Sequence, residues 1–213
     1  MKLIAIRHGE TEWNAQGREM GQLDSPLTPH GINQAHAIAR RLAQLPFASL
    51  YSSDLGRAVQ TADIIASSCG KRVTIDDGLR ERHMGIFQGL TVQQMRERFP
   101  KERQDYEHIG FEYVIPGGES AKQRLERSVR VLTAIANRHP KETVVVVTHG
   151  GFLMGFFEAV LGMAPGNGWR FKRYNGSYSA FEYLKERWSL EVWNDVSHLN
   201  DISTLDDATI QAN

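Results

Sequence analysis

The chain has 213 residues, and its 25 Lys plus Arg are balanced by 25 Asp plus Glu, so the formal net charge is zero. This neutrality argues against a protein that holds nucleic acid by bulk charge, and no nucleic-acid partner is expected. The length suits one α/β domain over residues 1–213, with at most a lid.

Cysteine content and hydropathy narrow the class of protein further. Cys69 is the only cysteine, which excludes a disulfide framework within the chain and a cysteine metal cluster. No apolar stretch reaches the roughly 18 residues of a spanning helix. The four apolar residues before Arg7 are too few for the core of a signal peptide. We therefore expect a cytoplasmic protein with no membrane partner.

Alternating strand and helix patterns predict a three-layer α/β/α sandwich with a mostly parallel sheet and an antiparallel edge. We predict strands at 2–7, near 48–51, and at 72–75, 143–148, 178–184 and 189–193. The first long helix is opened by Thr28 and Pro29 and ended by Pro46. Further helices are predicted from a cap within 52–54 to residue 65, after 117–120, and at 151–161. The polar tail at 201–213 is expected to be disordered.

The two late strands are placed at the edge of the sheet. An exposed edge strand such as 178–184 would let two copies pair as a homodimer, unless a loop covers it.

Residues 79–118 differ in character from the rest, because they are rich in Arg, Glu, Gly and aromatic residues and contain only short helical patterns. We interpret this region as an insertion that covers the strand ends, and we call residues 82–118 the lid segment. Tyr106, Phe111 and Tyr113 within it either shape a pocket or form a small satellite core, which is the more common case.

One small pattern occurs twice: an apolar strand that runs directly into a histidine and a glycine. Leu3–Ile6 leads into Arg7-His8-Gly9, and Val144–Val147 leads into Thr148-His149-Gly150. Runs this apolar are typical of strands buried on both faces of a parallel sheet. Ligands of open α/β sheets bind beyond the carboxyl ends of the strands. The pair of patterns therefore predicts a site that contains both histidines.

The residue types near His8 favour an anion. The planar fork of Arg7 can bind two phosphate or carboxylate oxygens, and a nearby cation disfavours protonation of His8. A neutral imidazole suits a nucleophile or a metal ligand. Arg57 falls in the first turn of a predicted helix, where free backbone N–H groups also favour anions. Asn14 and Gln22 can donate to phosphate oxygens, although such loop residues are common without a function.

Glu81 lies between Arg80 and Arg82 and is a candidate proton donor, the alternative being a surface ion-pair cluster. Two histidines and a glutamate also describe a metal triad. The His-x-His and His-Glu-x-x-His spacings are absent, however, and the neighbouring arginines would repel a cation. We therefore expect no metal and no cofactor. His83 belongs either to the edge of the site or to a lid contact.

Together these residues match a known set of motifs. The chain resembles the histidine phosphatase superfamily in its phosphoglycerate-mutase-like branch, and the resemblance runs from residue 3 to about residue 200. The matching segments are Arg7-His8-Gly9-Glu10-Thr11-Glu12-Trp13-Asn14, Gly21-Gln22-Leu23-Asp24-Ser25-Pro26-Leu27-Thr28, Ser52-Ser53-Asp54-Leu55-Gly56-Arg57-Ala58, Leu79-Arg80-Glu81-Arg82-His83-Met84-Gly85, Pro116-Gly117-Gly118-Glu119-Ser120 and Thr148-His149-Gly150-Gly151.

The resemblance implies that His8 attacks phosphorus and becomes phosphohistidine, while Arg7, Arg57 and His149 bind the transferring phosphoryl group. Glu81 would protonate the leaving oxygen and then activate water. The further residues expected to bind phosphate or substrate are Asn14, Gly21, Gln22, Arg82, His83 and Gly150.

Members of this family are mutases or phosphatases. The mutases carry a longer insertion with a lysine and an Arg-Arg pair that hold the substrate carboxylate, and residues 91–100 contain no such pair. The short lid and the segment 194–199 resemble broad-specificity phosphatases and α-ribazole phosphatases. We expect a phosphomonoesterase acting on a small-molecule phosphate ester, with Arg96, Arg98 and Arg103 as candidates for recognising the leaving group. The alternatives are a 2,3-bisphosphoglycerate-dependent phosphoglycerate mutase and a phosphate-dependent binding module without turnover.

Overall fold

The structure is a computed structural model that describes residues 1–164 and 170–199, so the predicted disorder of the tail at 201–213 lies outside the described residues. Its elements are β1 (Lys2–Arg7), α1 (Glu12–Ala15), α2 (Pro29–Leu42), β2 (Ser49–Ser52), α3 (Gly56–Cys69), β3 (Val73–Ile75), α4 (Val92–Arg98), α5 (Pro100–Ile109), α6 (Ala121–Arg138), β4 (Thr143–Thr148), α7 (Gly150–Val160), β5 (Tyr178–Leu184) and β6 (Arg187–Asp195).

The strands form one mixed sheet in the order β3-β2-β4-β1-β5-β6. The first four in that order run parallel, whereas β5 is antiparallel to both β1 and β6. The predicted α/β class and the mostly parallel sheet with an antiparallel edge are thus confirmed. In the β1–β4 pair Arg7 lies opposite Thr148, so His8 and His149 follow the paired ends of adjacent strands.

Helices cover both faces of the sheet, which explains why the central strands are apolar without interruption. Ile4 and Ile6 of β1 pack on one face with α2 and α3, whereas Leu3 and Ala5 pack on the other with α6 and α7. The helical partners are Ile38, Leu42, Ala58 and Ile65 on the first face and Leu132, Ile135, Phe152 and Phe156 on the second. Two separate cores therefore hold the carboxyl ends of β1 and β4 in place.

The lid segment has a small core of its own. Phe87 is completely buried among Met84, Leu90, Met95 and Ile115. Two of the three aromatic residues in question, Tyr106 and Tyr113, pack against this cluster. Of the two alternatives, a pocket or a satellite core, these two residues form the satellite core. Tyr106 also lines the cleft described below.

The predicted cap of α3 within residues 52–54 is wrong. The N-cap is Leu55, whose side chain makes no capping hydrogen bond. The carboxylate of Asp24, from a distant loop, accepts hydrogen bonds from the first two backbone N–H groups of α3. Asp54 is engaged instead in an ion pair with Arg80. A cap supplied from across the fold leaves no local sequence signal.

The strand at 178–184 is present as β5, but its predicted position at the edge of the sheet is wrong. It pairs with β1 on one side and with β6 on the other. The edges of the sheet are β3 and β6. Two helix ends differ as well. α2 ends at Leu42, before Pro46 is reached, and α3 continues past residue 65 to Cys69, where Gly70 takes a left-handed φ of 61°.

Two glycines allow α2 to pack directly on the loop that follows β1. A Cβ built on Gly31 would lie 2.0 Å from the carbonyl oxygen of Glu10, and one built on Gly9 would lie 2.4 Å from the carbonyl oxygen of Gly31. Both contacts are with backbone, which cannot move aside cheaply.

Gly31→Ala should therefore destabilise the protein, although glycine to alanine within a helix normally stabilises it. We expect the free energy of unfolding to fall by about 1–3 kcal/mol, the usual cost of overpacking. Urea unfolding measures the change, with Asn33→Ala on the exposed face of the same helix as the control. A Gly31→Ala protein at least as stable as the wild type would contradict this packing.

Candidate active site

The two predicted histidines come together beyond the ends of β1 and β4. The ring centroids of His8 and His149 are 5.2 Å apart, and the residues are 2% and 0% exposed, respectively. The backbone N–H of His8 donates to the carbonyl oxygen of Thr148, which extends the pairing of the two strands by one residue. The register of the sheet thus determines the distance between the rings.

Hydrogen bonding determines which nitrogen of His8 is reactive. Nδ1 lies 2.8 Å from the carbonyl oxygen of Gly9, and since a carbonyl can only accept, Nδ1 carries the proton. Nε2 therefore keeps its lone pair. Arg57 Nε donates to this Nε2 at 3.3 Å. His8 consequently presents a basic nitrogen toward a guanidinium, an arrangement suited to attack on an anion.

Arg57 is held rigidly although it is only 1% exposed. Its Nη1 donates to the carbonyl oxygen of Leu23 and its Nη2 to that of Gly21, each at 2.8 Å. Asp24 accepts a further hydrogen bond from Nη1 at 3.3 Å. Arg7 is similarly buried, and its Nη1 donates to a backbone carbonyl. Two fixed guanidiniums therefore flank His8.

Both imidazoles are neutral at physiological pH. Burial, followed by the charges of Arg57 and Arg7, lowers the pKa of His8 well below its usual value. Burial and Arg57 likewise lower the pKa of His149. Neither ring nitrogen of His149 has a hydrogen-bond partner within the described part of the chain. Unpartnered buried nitrogens are costly, and at a site of this kind they fit donation to an oxygen of a ligand.

The carboxylate of Glu81 is held at the N-terminus of α7. Its Oε2 accepts from the backbone N–H of Gly151 and its Oε1 from that of Arg82, both at 2.6 Å. Its backbone carbonyl accepts from Gln22 Nε2 at 3.0 Å and from Arg127 Nη2 at 3.1 Å. Contacts from α7, from α6 and from the loop that contains Gln22 thus fix the position of Glu81.

One cleft of about 130 Å³ gathers most of the predicted site residues. Those that line it are Arg7, His8, Asn14, Gly21, Arg57, Glu81 and Arg82. Gln22 lies outside this lining and donates to the backbone carbonyl of Glu81. Nδ1 of His83 accepts a hydrogen bond from the backbone of Gly85 within the lid segment. His149 and Gly150 do not line the cleft, although His149 contacts the ring of His8.

Asn14 is tied into the loop after β1. Its Oδ1 accepts from the backbone N–H of Thr11 at 3.1 Å and from Asn175 Nδ2 at 3.2 Å. Among the lid arginines, Arg103 lines the cleft, whereas Arg96 is exposed and pairs with Glu107.

Sequence reasoning missed several residues that build the site. Gly151 had a usable signal, because a glycine in the first turn after His149 presents a free N–H. Asp24, which holds Arg57, lies in the matching segment at 21–28, whereas Arg127, which holds Glu81, had no signal. Arg124 lines the cleft from α6 and was also missed, since its sequence neighbourhood is an ordinary amphipathic helix.

Within residues 1–164 and 170–199, no group of three or more His, Cys, Asp or Glu side chains is arranged to hold a metal ion. Over the same residues, no helix combines the length and the apolar character that crossing a membrane requires. The guanidiniums of Arg7 and Arg57 supply positive charge beside His8.

A neutral histidine with an unprotonated Nε2, two guanidiniums and a positioned carboxylate define a site suited to phosphoryl transfer. Comparison with known proteins gives the family. A model of the histidine phosphatase superfamily (branch 1) matches residues 3–196, and the chain belongs to this superfamily.

Individual relatives agree with this assignment. The chain is 38% identical over 208 residues to the metal-independent phosphoserine phosphatase of Arabidopsis thaliana, covering 96% of this chain and 85% of that protein. It is 34% identical over 205 residues to the probable phosphoglycerate mutase GpmB of Salmonella choleraesuis, covering 94% and 95%. The mutant phosphoserine phosphatase of Entamoeba histolytica, solved in complex with phosphoserine, matches with a TM-score of 0.82 and 30% identity, covering 93% of this chain and 98% of that one.

The lowered pKa values of the two histidines predict a loss of stability in acid. The unfolded chain binds protons to these rings near their usual pKa of about 6.5, whereas the folded protein does so only at lower pH. The free energy of unfolding is therefore unaffected by these rings above about pH 6.5. As the pH falls from there toward the folded-state pKa values, the free energy of unfolding declines by up to about 1.4 kcal/mol per pH unit for each ring.

Urea unfolding of the wild type and of His149→Gln, measured between about pH 7 and pH 5, checks this dependence. The free energy of unfolding should fall less steeply in the variant, because the ring of His149 then no longer contributes. Parallel pH profiles for the two proteins would contradict a buried, neutral His149.

Proposed function

We propose that this protein is a metal-independent phosphomonoesterase that hydrolyses small phosphate esters through a phosphohistidine intermediate on His8. The observation that carries the proposal is the state of His8, with Nδ1–H bonded to the Gly9 carbonyl and the Nε2 lone pair directed at Arg57. An unprotonated Nε2 beside a guanidinium is what attack on a bound anion requires.

In the first step His8 Nε2 attacks phosphorus, the N–P bond forms and the bond from phosphorus to the ester oxygen breaks. Arg7, Arg57 and His149 bind the equatorial oxygens, whose charge such sites stabilise. Glu81 gives its proton to the leaving oxygen. The alcohol then departs with this proton, and Glu81 is left ionised. Because Gly151 and Arg82 donate to both carboxylate oxygens, Glu81 is held in place for this transfer.

In the second step Glu81, now ionised, takes a proton from water as the water oxygen attacks phosphorus. The N–P bond breaks, inorganic phosphate leaves and His8 returns to its neutral form. Two displacements replace one difficult step, as in other covalent mechanisms. The enzyme is regenerated without a further reactant.

The names of the relatives support both a phosphatase and a mutase. Phosphoserine phosphatases from two organisms match, as does a protein named as a probable phosphoglycerate mutase. In a mutase the phosphoryl group would return to a second hydroxyl instead of passing to water. We favour hydrolysis because residues 91–100 lack the Arg-Arg pair expected of the mutases.

Phosphate release from a panel of phosphomonoesters tests the activity, with 3-phosphoglycerate included and its 2-phospho isomer followed in the same samples. We expect release that a chelator does not inhibit and that His8→Ala abolishes, while His36→Ala, an exposed ring on α2, serves as the matched control.

Other outcomes identify the alternatives. Isomerisation without phosphate release would make the protein a mutase. If esters bound but neither product nor phosphohistidine could be trapped by rapid quenching, it would be a binding module.

Gly151→Ala tests the position of Glu81 without altering any charged group. A Cβ at this residue would lie 2.5 Å from Glu81 Oε1, so the carboxylate must move away. We expect kcat/KM to fall by roughly 10²–10⁴, the usual contribution of a general acid, while stability is kept. The loss should be smaller for 4-nitrophenyl phosphate, whose leaving group needs no proton. Equal losses for alkyl and nitrophenyl esters would contradict proton donation by Glu81.

We also propose a cytoplasmic location, which suits a chain whose single cysteine is a free thiol. A homodimer would form most simply through β6, which is the longer of the two edge strands.

A further inference from the structure

Two buried polar side chains hold the backbone on either side of Gly9. The backbone N–H of Gly9 donates to Thr61 Oγ1 at 3.1 Å, and the N–H of Glu10 donates to Gln34 Oε1 at 2.9 Å. Gln34 belongs to α2 and Thr61 to α3, and both are 0% exposed. Polar side chains of helices on a protein surface normally face the solvent. Each of these helices instead directs one polar side chain inward, to the loop that follows His8.

The peptide group between His8 and Gly9 is fixed at both of its ends. Its N–H is the one that donates to Thr61. Its carbonyl oxygen, which belongs to His8, accepts from the backbone N–H of Gly176 at 3.1 Å and from Asn175 Nδ2 at 3.2 Å. The main chain next to the nucleophile is therefore held from opposite directions.

Thr61 also connects this peptide group to the guanidinium that faces the nucleophile. Its hydroxyl donates to the backbone carbonyl of Arg57, one turn earlier in α3, at 2.9 Å. A hydroxyl has one proton, so Oγ1 acts only as an acceptor toward Gly9. Since Arg57 Nε reaches His8 Nε2 at 3.3 Å, Thr61 links both partners of that contact through their backbones.

The second peptide group, between Gly9 and Glu10, determines the direction of the carbonyl that contacts the imidazole. Its N–H donates to Gln34, and its carbonyl oxygen lies 2.8 Å from His8 Nδ1. Gln34 reaches this loop because α2 packs directly on it at Gly31, on the same side of the helix. A peptide group is planar, so an N–H that is held in place also fixes the carbonyl oxygen on the opposite side.

The direction of this oxygen matters for the chemistry of the ring. The proton of a neutral imidazole stays on the nitrogen that has an acceptor, and the Gly9 carbonyl is such an acceptor for Nδ1. Arg57 favours the same arrangement, but in the proposed reaction it also binds phosphoryl oxygens. As the N–P bond forms, the ring gains positive charge, and the hydrogen bond from Nδ1 becomes stronger. An interaction that strengthens in the transition state increases the rate.

We propose that Gln34 and Thr61 are positioning residues for the nucleophile. By fixing both peptide groups of Gly9, they keep the proton of His8 on Nδ1 and direct the unprotonated Nε2 to phosphorus. Neither side chain lines the cleft, so both act through the backbone and not on the substrate. The inference rests on the proposed phosphohistidine mechanism and gives two buried helix residues a role in its first step.

Removal of the Thr61 hydroxyl tests the first peptide group. Thr61→Val keeps the shape of the side chain but removes the acceptor of the Gly9 N–H, whereas Thr61→Ser retains it. Single-turnover release of 4-nitrophenolate from 4-nitrophenyl phosphate follows attack by His8, because this leaving group needs no proton. We expect the maximal rate to fall roughly ten- to hundred-fold in Thr61→Val and to recover largely in Thr61→Ser. The matched control is Thr74→Val on β3, an exposed threonine, which should keep the wild-type rate.

Gln34→Met tests the second peptide group, because a thioether is at most a weak acceptor. We expect a similar fall in the maximal rate. Long-range ¹H–¹⁵N NMR of protein labelled with ¹⁵N-histidine locates the proton, and the spectrum of His8→Ala identifies the signals of this ring. The wild type should show a protonated Nδ1 and an unprotonated Nε2. In Gln34→Met and Thr61→Val the two nitrogen signals should move toward each other as both tautomers become populated.

Three results would overturn the role of these residues. They are a wild-type rate in either Thr61→Val or Gln34→Met, a Thr61→Ser protein as slow as Thr61→Val, and a reduced rate with unchanged ¹⁵N signals of His8. The last result would place the damage elsewhere. If Gln34→Met does not fold, the two Thr61 variants decide by themselves. Failure of the proposed function is distinguishable, since the wild type would then release no 4-nitrophenolate while NMR still reports the tautomer.

Discussion

The parallel pairing of β1 with β4 is the constraint on which the site depends. Arg7 lies opposite Thr148, and one more backbone hydrogen bond joins His8 to Thr148. A slip of one residue would turn every side chain of β1 to the opposite face of the sheet. The two cores prevent such a slip, because alternate residues of both strands fill one core or the other. Ordinary hydrophobic packing thus holds two histidines 5.2 Å apart.

The electrostatics of the site follow from how its cations are held. Arg57 is fixed chiefly by backbone carbonyl oxygens, which satisfy its donors without cancelling its charge. Asp24, a carboxylate that pairs with it, also accepts from the backbone of α3. The positive potential is therefore present before any anion binds, and it adds to burial in lowering the pKa of His8. Preorganised charge of this kind needs no rearrangement during reaction.

The lid segment contributes both structure and selectivity. Its small core of Phe87 and neighbouring apolar residues stabilises a region too polar to join the main cores. The segment begins at Arg82, next to Glu81 in the chain, and its Arg82 and Arg103 line the cleft. A family of this kind can change substrates through the lid while keeping its reaction.

The sequence by itself determined the α/β class, the strands that carry His8 and His149, and the placement of Arg57 in the first turn of a helix. These features are local, since strand periodicity, a glycine and a helix start are visible within a few residues. Only the tertiary structure decided that Asp24 caps α3 from 32 residues away, that Arg127 supports Glu81 and that Arg82 and Arg124 share one cleft wall. Such contacts join elements distant in the chain, so their geometry exists only after the helices pack on the sheet.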